Sequence, residues 1–121
     1  MNSRPSEITR EFERILDAHM EKILRGDASD FLEIHEAAAM LHVHPTHLSN
    51  TIKETTGRSP CDLCNTRTIA AAKALLDRSD LAIADVAVKL TFEPTNFTKY
   101  FKRHTGMTPS AYRALVQQAD R

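Results

Sequence analysis

The sequence of 121 residues lacks the features of several non-globular classes of protein. It has no tryptophan, three glycines and five prolines, which excludes collagen-like and low-complexity character. The longest unbroken apolar run, Ala37 to Leu41, is far too short to span a bilayer, so we expect no membrane partner. The opening residues Met-Asn-Ser-Arg-Pro precede no apolar segment of the kind that directs secretion. We therefore expect a cytoplasmic chain.

Cysteine and net charge are also scarce. Two cysteines cannot form a disulfide framework, and a cytoplasmic chain would keep them reduced. The 16 Lys and Arg residues balance the 16 Asp and Glu residues, so the chain as a whole does not attract a polyanion. The charges are unevenly placed, however, because residues 94–113 carry four cations and no acid. A phosphate backbone attracts such a segment, although a solvated helix face would look similar.

Apolar residues recur along the chain with the 3.6-residue period of an α-helix. One such stripe predicts a helix from about Glu7 to Arg25, which Gly26 ends. No segment alternates apolar and polar residues over the length of a strand with β-branched enrichment. The sequence therefore predicts an all-α protein.

The chain matches itself when it is shifted by 49 residues, with nine identities in 27 aligned positions and no gap. Chance similarity between amphipathic helices does not explain the matches between Pro45 and Pro94 or between Gly57 and Gly106, since these residue types mark special backbone geometry. Each repeat predicts a short helix, a turn and a second helix, which is the helix-turn-helix arrangement. The predicted second helices begin at the prolines and end before the glycines: Pro45–Thr56 and Pro94–Thr105.

One long helix is predicted between the repeats, from about Pro60 to Arg78. A rod of about 18 residues spans about 27 Å. Successive major-groove faces on one side of B-DNA are about 34 Å apart. A strut of that length could hold two helix-turn-helix units about one helical turn apart.

Three segments resemble the AraC/XylS family of bacterial transcription regulators. They are Ile69-Ala-Ala-Ala-Lys-Ala-Leu-Leu76 with Ile83-Ala-Asp-Val-Ala87, and Phe97-Thr-Lys-Tyr-Phe-Lys-Arg-His-Thr-Gly-Met-Thr-Pro-Ser-Ala-Tyr-Arg113. The resemblance covers about residues 30–115. It implies an all-α domain of about seven helices, in which a linker helix joins two helix-turn-helix units, and it implies promoter binding as the function.

The predicted organisation is one compact DNA-binding domain. Its segments are an N-terminal helix and loop (1–33), the first helix-turn-helix (34–60), the linker helix (61–79), and the second helix-turn-helix with the C-terminal helix (80–121). Two positions depart from the family. Thr91 stands where the family usually has glycine, and Glu93, after a turn one residue shorter than usual, is a poorer N-cap than Asp, Ser or Thr. Both departures bear on the register of the second recognition helix.

Helical geometry separates the inward and outward sides of the two second helices. The inward residues are predicted to be Leu48, Ile52 and Thr55 on the first, and Phe97 and Phe101 on the second. The outward residues, which we call the reading faces, are Thr46, His47, Asn50, Lys53 and Glu54 on the first, and Thr95, Asn96, Lys99, Lys102 and Arg103 on the second. The first reading face is nearly neutral and the second carries three cations, so we expect the second to supply more non-specific affinity.

The resemblance places the family's base-contacting positions on these helices. They fall on Thr46, Ser49, Asn50, Thr95, Asn96 and Lys99. Asn can bond adenine in two places, Lys can reach guanine, and the Thr methyl group can touch thymine. We predict phosphate contacts for Lys53, Lys102 and Arg103, which position a protein on the duplex without reading its sequence.

No motif of the chain predicts catalysis, a metal site or a cofactor. A glycine-rich phosphate loop, a zinc-protease motif and a nucleophile motif are all missing from the sequence. Cys61 and Cys64 have a spacing that zinc and redox sites use, and His42, His44 and His47 lie nearby. The usual second pair of zinc ligands is missing, so we interpret the cysteines as small helix residues. Because the catalytic motifs are also missing, we expect no enzyme.

The expected partner is double-stranded promoter DNA, and activation in such a family usually involves contact with RNA polymerase. We expect a monomer because both units are on one chain, with a dimer through the N-terminal helix as the alternative. Two other functions stay open at this point. One is a helical protein–protein interaction module, which the zero net charge favours, and the other is a thiol- or metal-sensing regulator that acts through Cys61 and Cys64.

Overall fold

The computed structural model describes residues 4–78 and 80–119, which form seven α-helices and no strand. The helices are α1 (Arg4–Arg25), α2 (Ile34–Met40), α3 (Pro45–Thr56), α4 (Pro60–Leu76), α5 (Ile83–Lys89), α6 (Pro94–Thr105) and α7 (Pro109–Ala119). The all-α prediction is confirmed. None of these helices has an apolar stretch long enough to cross a membrane. The chain divides into two compact units, Met1–Arg67 and Thr68–Arg121, and the boundary falls within α4.

The two repeats have the same register. The bounds of α5 and α6 are those of α2 and α3 shifted by 49 residues, and a turn of four residues joins the two helices in each repeat. The turn before α6 therefore has the same length as the turn before α3. This result fixes where the second recognition helix begins.

Each turn starts with the same pattern of backbone hydrogen bonds. The amide of Val43 donates to the carbonyl of Ala38 at 3.0 Å, and the amide of Phe92 donates to the carbonyl of Ala87 at 2.8 Å. These are the long bonds of a Schellman motif, which closes the end of a helix. Both acceptors are buried alanines, and a small side chain there leaves room for the next helix.

A Schellman motif requires one residue in the left-handed region, where glycine is usual. Here that residue is His42 in the first turn, with φ 56°, and Thr91 in the second, with φ 71°. A β-branched side chain is strained in this region. Thr91 therefore adds strain to the second turn, which keeps the hydrogen-bond pattern of the first turn.

The core of the first unit lies where α1 and α2 pack against α3. Its buried apolar residues are Ile8, Phe12, Leu16, Ala37, Ala38, Leu48, Ile52 and Leu63. Two further contacts tie α1 to the unit. The hydroxyl groups of Thr9 and Thr55 lie 2.6 Å apart, and the Arg67 guanidinium lies 2.6 Å from Asp17 and 3.8 Å from Glu13.

The core of the second unit is aromatic. Phe97 and Phe101 are fully buried on α6, with ring centroids 5.9 Å apart. Phe101 meets the edge of Tyr112 from α7 at 5.7 Å, and Phe92 from the turn lies 5.6 Å from Phe97. Tilted and edge-on contacts of this kind add to the free energy of burying the rings.

Two adjacent residues of α7 bind the end of α4 within the second unit. The Arg113 guanidinium donates to the carbonyl of Leu76 at 2.9 Å and to the carbonyl of Arg78 at 3.1 Å. The Tyr112 hydroxyl donates to Asp77 at 3.0 Å, and burial followed by this hydrogen bond raises the pKa of the phenol. Arg113 thus satisfies carbonyl groups that a helix end leaves without partners.

Candidate nucleic-acid interface

The packing of α3 leaves one side of the helix open. Leu48, Thr51 and Ile52 are buried, whereas the reading-face residues Thr46, His47, Asn50, Lys53 and Glu54 are all exposed. Ser49, on the edge of this face, is half-buried. The exposed side therefore matches the predicted reading face.

One inward prediction for α3 was wrong. Thr55 is exposed as a residue, although its hydroxyl group contacts Thr9, and Thr51 is the residue that is fully packed. The reason is the position along the helix, because both residues lie on the buried side of α3 but Thr55 is in its last turn.

The corresponding side of α6 is exposed over the same positions. Phe97 and Phe101 are buried, and the reading-face residues Thr95, Asn96, Lys99, Lys102 and Arg103 are all exposed. The guanidinium carbon of Arg103 lies 5.9 Å from the centre of the Tyr100 ring, which supports it along the helix surface. Three cations thus face solvent on one side of a 12-residue helix.

Each reading helix is capped at its start by a side chain. The Nδ1 atom of His44 accepts a hydrogen bond from the amide of Thr46 at 3.1 Å. Glu93 accepts from the amides of Thr95 and Asn96 at 3.1 and 3.2 Å. The prediction that Glu93 would cap poorly was wrong, since the longer carboxylate reaches both donors.

The Glu93 cap has an electrostatic signature. The hydrogen bonds from the amides of Thr95 and Asn96 hold the pKa of the Glu93 carboxyl below its usual value. A carboxylate is also the favoured group at the positive end of a helix dipole. The cap fixes the first turn of α6, and with it the backbone that carries Thr95 and Asn96.

The reading helices are closed in the same way at their other ends. Gly57 and Gly106 take left-handed conformations, with φ 73° and 84°. The amide of Gly57 donates to the carbonyl of Lys53 at 2.9 Å, and that of Gly106 donates to the carbonyl of Lys102 at 2.8 Å. Both ends of α3 and α6 are therefore closed by neighbouring residues, and the reading-face residues contribute backbone groups to these caps.

A helix-turn-helix domain family matches residues 37–115 of this chain. The matched region begins within α2 and contains α3 to α6 in full. The chain belongs to this family. This match confirms the resemblance to AraC/XylS regulators. The family match does not favour the interaction-module or thiol-sensing alternatives.

Relatives of this helix-turn-helix chain are named as regulators. The regulatory protein PocR of Salmonella typhimurium is 31% identical over 106 residues, which cover 84% of this chain and 35% of PocR. The C-terminal domain of AraT, a response regulator from Geobacillus stearothermophilus, is 29% identical with a TM-score of 0.78, over 93% of this chain and 88% of that domain. The DNA-binding domain of AdpA, solved with a target DNA, has the same fold at 22% identity and a TM-score of 0.73, over 90% and 95% of the two chains.

The matched relatives are much longer than this helix-turn-helix chain. The chain spans from 12% to 35% of the length of the curated relatives it matches. The comparison therefore assigns the domain, which is a DNA-binding domain of transcription regulators.

The basic segment near the C-terminus is smaller than its sequence indicates. Of its four cations, Lys99, Lys102 and Arg103 lie on the reading face of α6, whereas Arg113 is half-buried and bonded to the end of α4. The Tyr-Arg pair at the end of the family motif is the sequence signal for the contact of Arg113 with α4. The local charge pattern does not distinguish Arg113 from the other three cations, since the contact joins residues 37 apart in the chain.

The two cysteines lie on α4, outside both reading helices. Cys61 is exposed and Cys64 is half-buried, and neither forms a disulfide. Within residues 4–78 and 80–119, the one group of three side chains close enough to share a metal ion is Glu33, His35 and Glu36. Glu33 and Glu36 form the capping box of α2, which accounts for their proximity.

Proposed function

We propose that this chain is a sequence-specific regulator of transcription that inserts α3 and α6 into adjacent major-groove segments of double-stranded DNA. The observation that carries the proposal is the repeated exposed polar face, which occupies the same positions on two helices that are closed at both ends. A helix of this kind can approach base edges because its own backbone needs no partner there.

The proposed contacts fall into two classes. Thr46, Ser49, Asn50, Thr95, Asn96 and Lys99 contact bases. Lys53, Lys102 and Arg103 contact phosphates. Asn50 bonds an adenine and Lys99 bonds a guanine, because an amide and an ammonium group fit the donor and acceptor patterns of those bases.

Both helices are on one chain, so the proposed binding form is a monomer on a site with two parts. We assign no catalytic step to it. RNA polymerase is the proposed second partner where the output is activation, and the relatives that are named as activators support that output.

The decisive experiment is selection of binding sites from random duplexes, followed by measurement of Kd for the selected duplex. We expect a motif in two parts, with about 10 base pairs between their centres. Asn50→Ala and Lys99→Ala should each weaken binding of the selected duplex by about 10-fold and relax the preference at one base pair. Lys102→Ala should weaken binding to every duplex and reduce the slope of log K against log salt by about 0.9.

Lys89→Ala is the matched control, because Lys89 is an exposed cation on α5 outside both reading faces. It should leave the base preferences unchanged. If Asn50→Ala and Lys99→Ala behave like Lys89→Ala, the assigned reading faces are wrong. Binding that does not change between low and moderate salt would instead contradict phosphate contact altogether.

A further inference from the structure

The reading faces of the two helices differ most in charge at one matched position. Glu54 of α3 corresponds to Arg103 of α6 in the repeat of 49 residues. Both side chains are exposed. At 100° per residue each lies on the flank of its reading face, next to Asn50 and Lys99 respectively. A carboxylate thus occupies in α3 the position that holds a proposed phosphate contact in α6.

The local structure gives Glu54 no stabilising role. It lies in the last turn of α3, where the negative end of the helix dipole disfavours a carboxylate. Among the residues that the structure describes, it forms no salt bridge. The nearest guanidinium in the sequence, that of Arg58, donates to the carbonyl of Asp62 and to the Thr66 hydroxyl.

We infer that Glu54 lowers the affinity of α3 for the phosphate backbone, so that base contacts supply a larger share of the binding free energy of the first reading helix; this inference rests on the proposed function. A carboxylate beside a phosphate is repelled on every sequence, so it weakens non-specific binding as much as specific binding. Base contacts by Thr46 and Asn50 must then supply more of the binding free energy of α3. The first half-site is consequently read by hydrogen bonds, and the second is held by charge as well.

The test measures the Kd of the full chain for the selected duplex and for a shuffled duplex of the same composition, over a range of salt concentrations. Glu54→Gln should tighten both complexes by about 3-fold, as expected for one exposed charge pair. Glu54→Arg should tighten both further and steepen the slope of log K against log salt by about 0.9, because it adds a phosphate contact. The ratio of specific to non-specific affinity should stay nearly the same in both variants, because a phosphate contact carries no sequence information.

Glu21→Gln is the control for net charge, since Glu21 is exposed on the side of α1 opposite its buried residues. If Glu54→Gln and Glu21→Gln change both Kd values equally, the inference is wrong while the proposed function stands. If Glu54→Gln weakens only the selected duplex and relaxes the preference at one base pair, Glu54 instead accepts a hydrogen bond from a cytosine, which also overturns the inference. Failure of the wild-type chain to bind any duplex would overturn the proposed function itself.

Discussion

The first and second helix-turn-helix units have the same backbone arrangement and differ in the side chains that pack beneath it. Helix bounds, turn lengths and the closing glycines agree under a shift of 49 residues. The first unit packs aliphatic side chains such as Leu48 and Ile52, and the second packs Phe97 and Phe101 at the same positions. One backbone plan therefore tolerates two kinds of core, provided that the turn and cap positions are kept.

The two units also differ in the contacts of the arginine on the helix that follows each reading helix. Arg67 of α4 forms ion pairs with Asp17 and Glu13, whose side chains are 65% and 39% exposed. Arg113 of α7 instead donates to the carbonyls of Leu76 and Arg78. The first contact depends on charge, whereas the second fills the unsatisfied end of a helix.

The largest expected effect comes from removing these arginines. Arg113→Ala should destabilise the second unit by about 2 kcal/mol, because it leaves the carbonyl of the buried Leu76 without its donor. Arg67→Ala should cost about 1 kcal/mol or less, as is usual for exposed ion pairs. Amide hydrogen exchange, read separately for α1–α3 and α5–α7, measures the two effects in their own units.

Salt sharpens the contrast between the two arginines. Raising the salt to about 1 M should shrink the effect of Arg67→Ala and leave most of the effect of Arg113→Ala, since exposed charges are screened. Arg103→Ala is the control in the second unit, because Arg103 is exposed and bonds no helix end. Equal loss of protection in Arg103→Ala and Arg113→Ala would show that Arg113 does not hold the end of α4.

The turns give a smaller effect of opposite sign. Thr91→Gly should stabilise the second unit by about 1 kcal/mol, because it relieves a β-branched residue at φ 71°. His42→Gly should gain less, since histidine tolerates the left-handed region better than threonine does. Thermal unfolding followed by circular dichroism compares the two variants, and a loss of stability in Thr91→Gly would mean that the threonine side chain packs usefully.

The smallest expected effect is the pH dependence of the cap on α6. Because the pKa of Glu93 is lowered in the fold, the carboxylate stabilises α6 above its unfolded pKa, and this stability is lost as the pH falls through the folded pKa. The wild-type chain should therefore be more stable than Glu93→Gln at pH 7, and this difference in stability should shrink below about pH 4.5. Urea unfolding at both pH values measures it; a difference that stays constant with pH would rule out the carboxylate cap.

The helices could be predicted from the sequence because proline, glycine and the apolar period mark them locally. Pro45 and Gly57 bound α3 as expected. The predicted start of α1 at Glu7 is three residues too late, because the helix begins at Arg4. Pro5 lies in its first turn, where proline is well tolerated.

Contacts between distant residues could not be predicted from these local patterns. The bond between Thr9 and Thr55 joins residues 46 apart, and Arg113 meets Leu76 across 37. Exposure of the reading faces followed from helical geometry and is confirmed. Their base and phosphate contacts stay predictions, because exposure shows which side chains are available and says nothing of what they bind.

The independent closure of α3 and α6 has a consequence for how such a chain can change. Their reading-face side chains take no part in caps or core, so replacing them costs the fold little, whereas exchanging whole helices would force phenylalanines into a pocket shaped for Leu48 and Ile52. Under the proposed function, new operator preferences can therefore arise at one half-site at a time, by single substitutions that folding does not oppose.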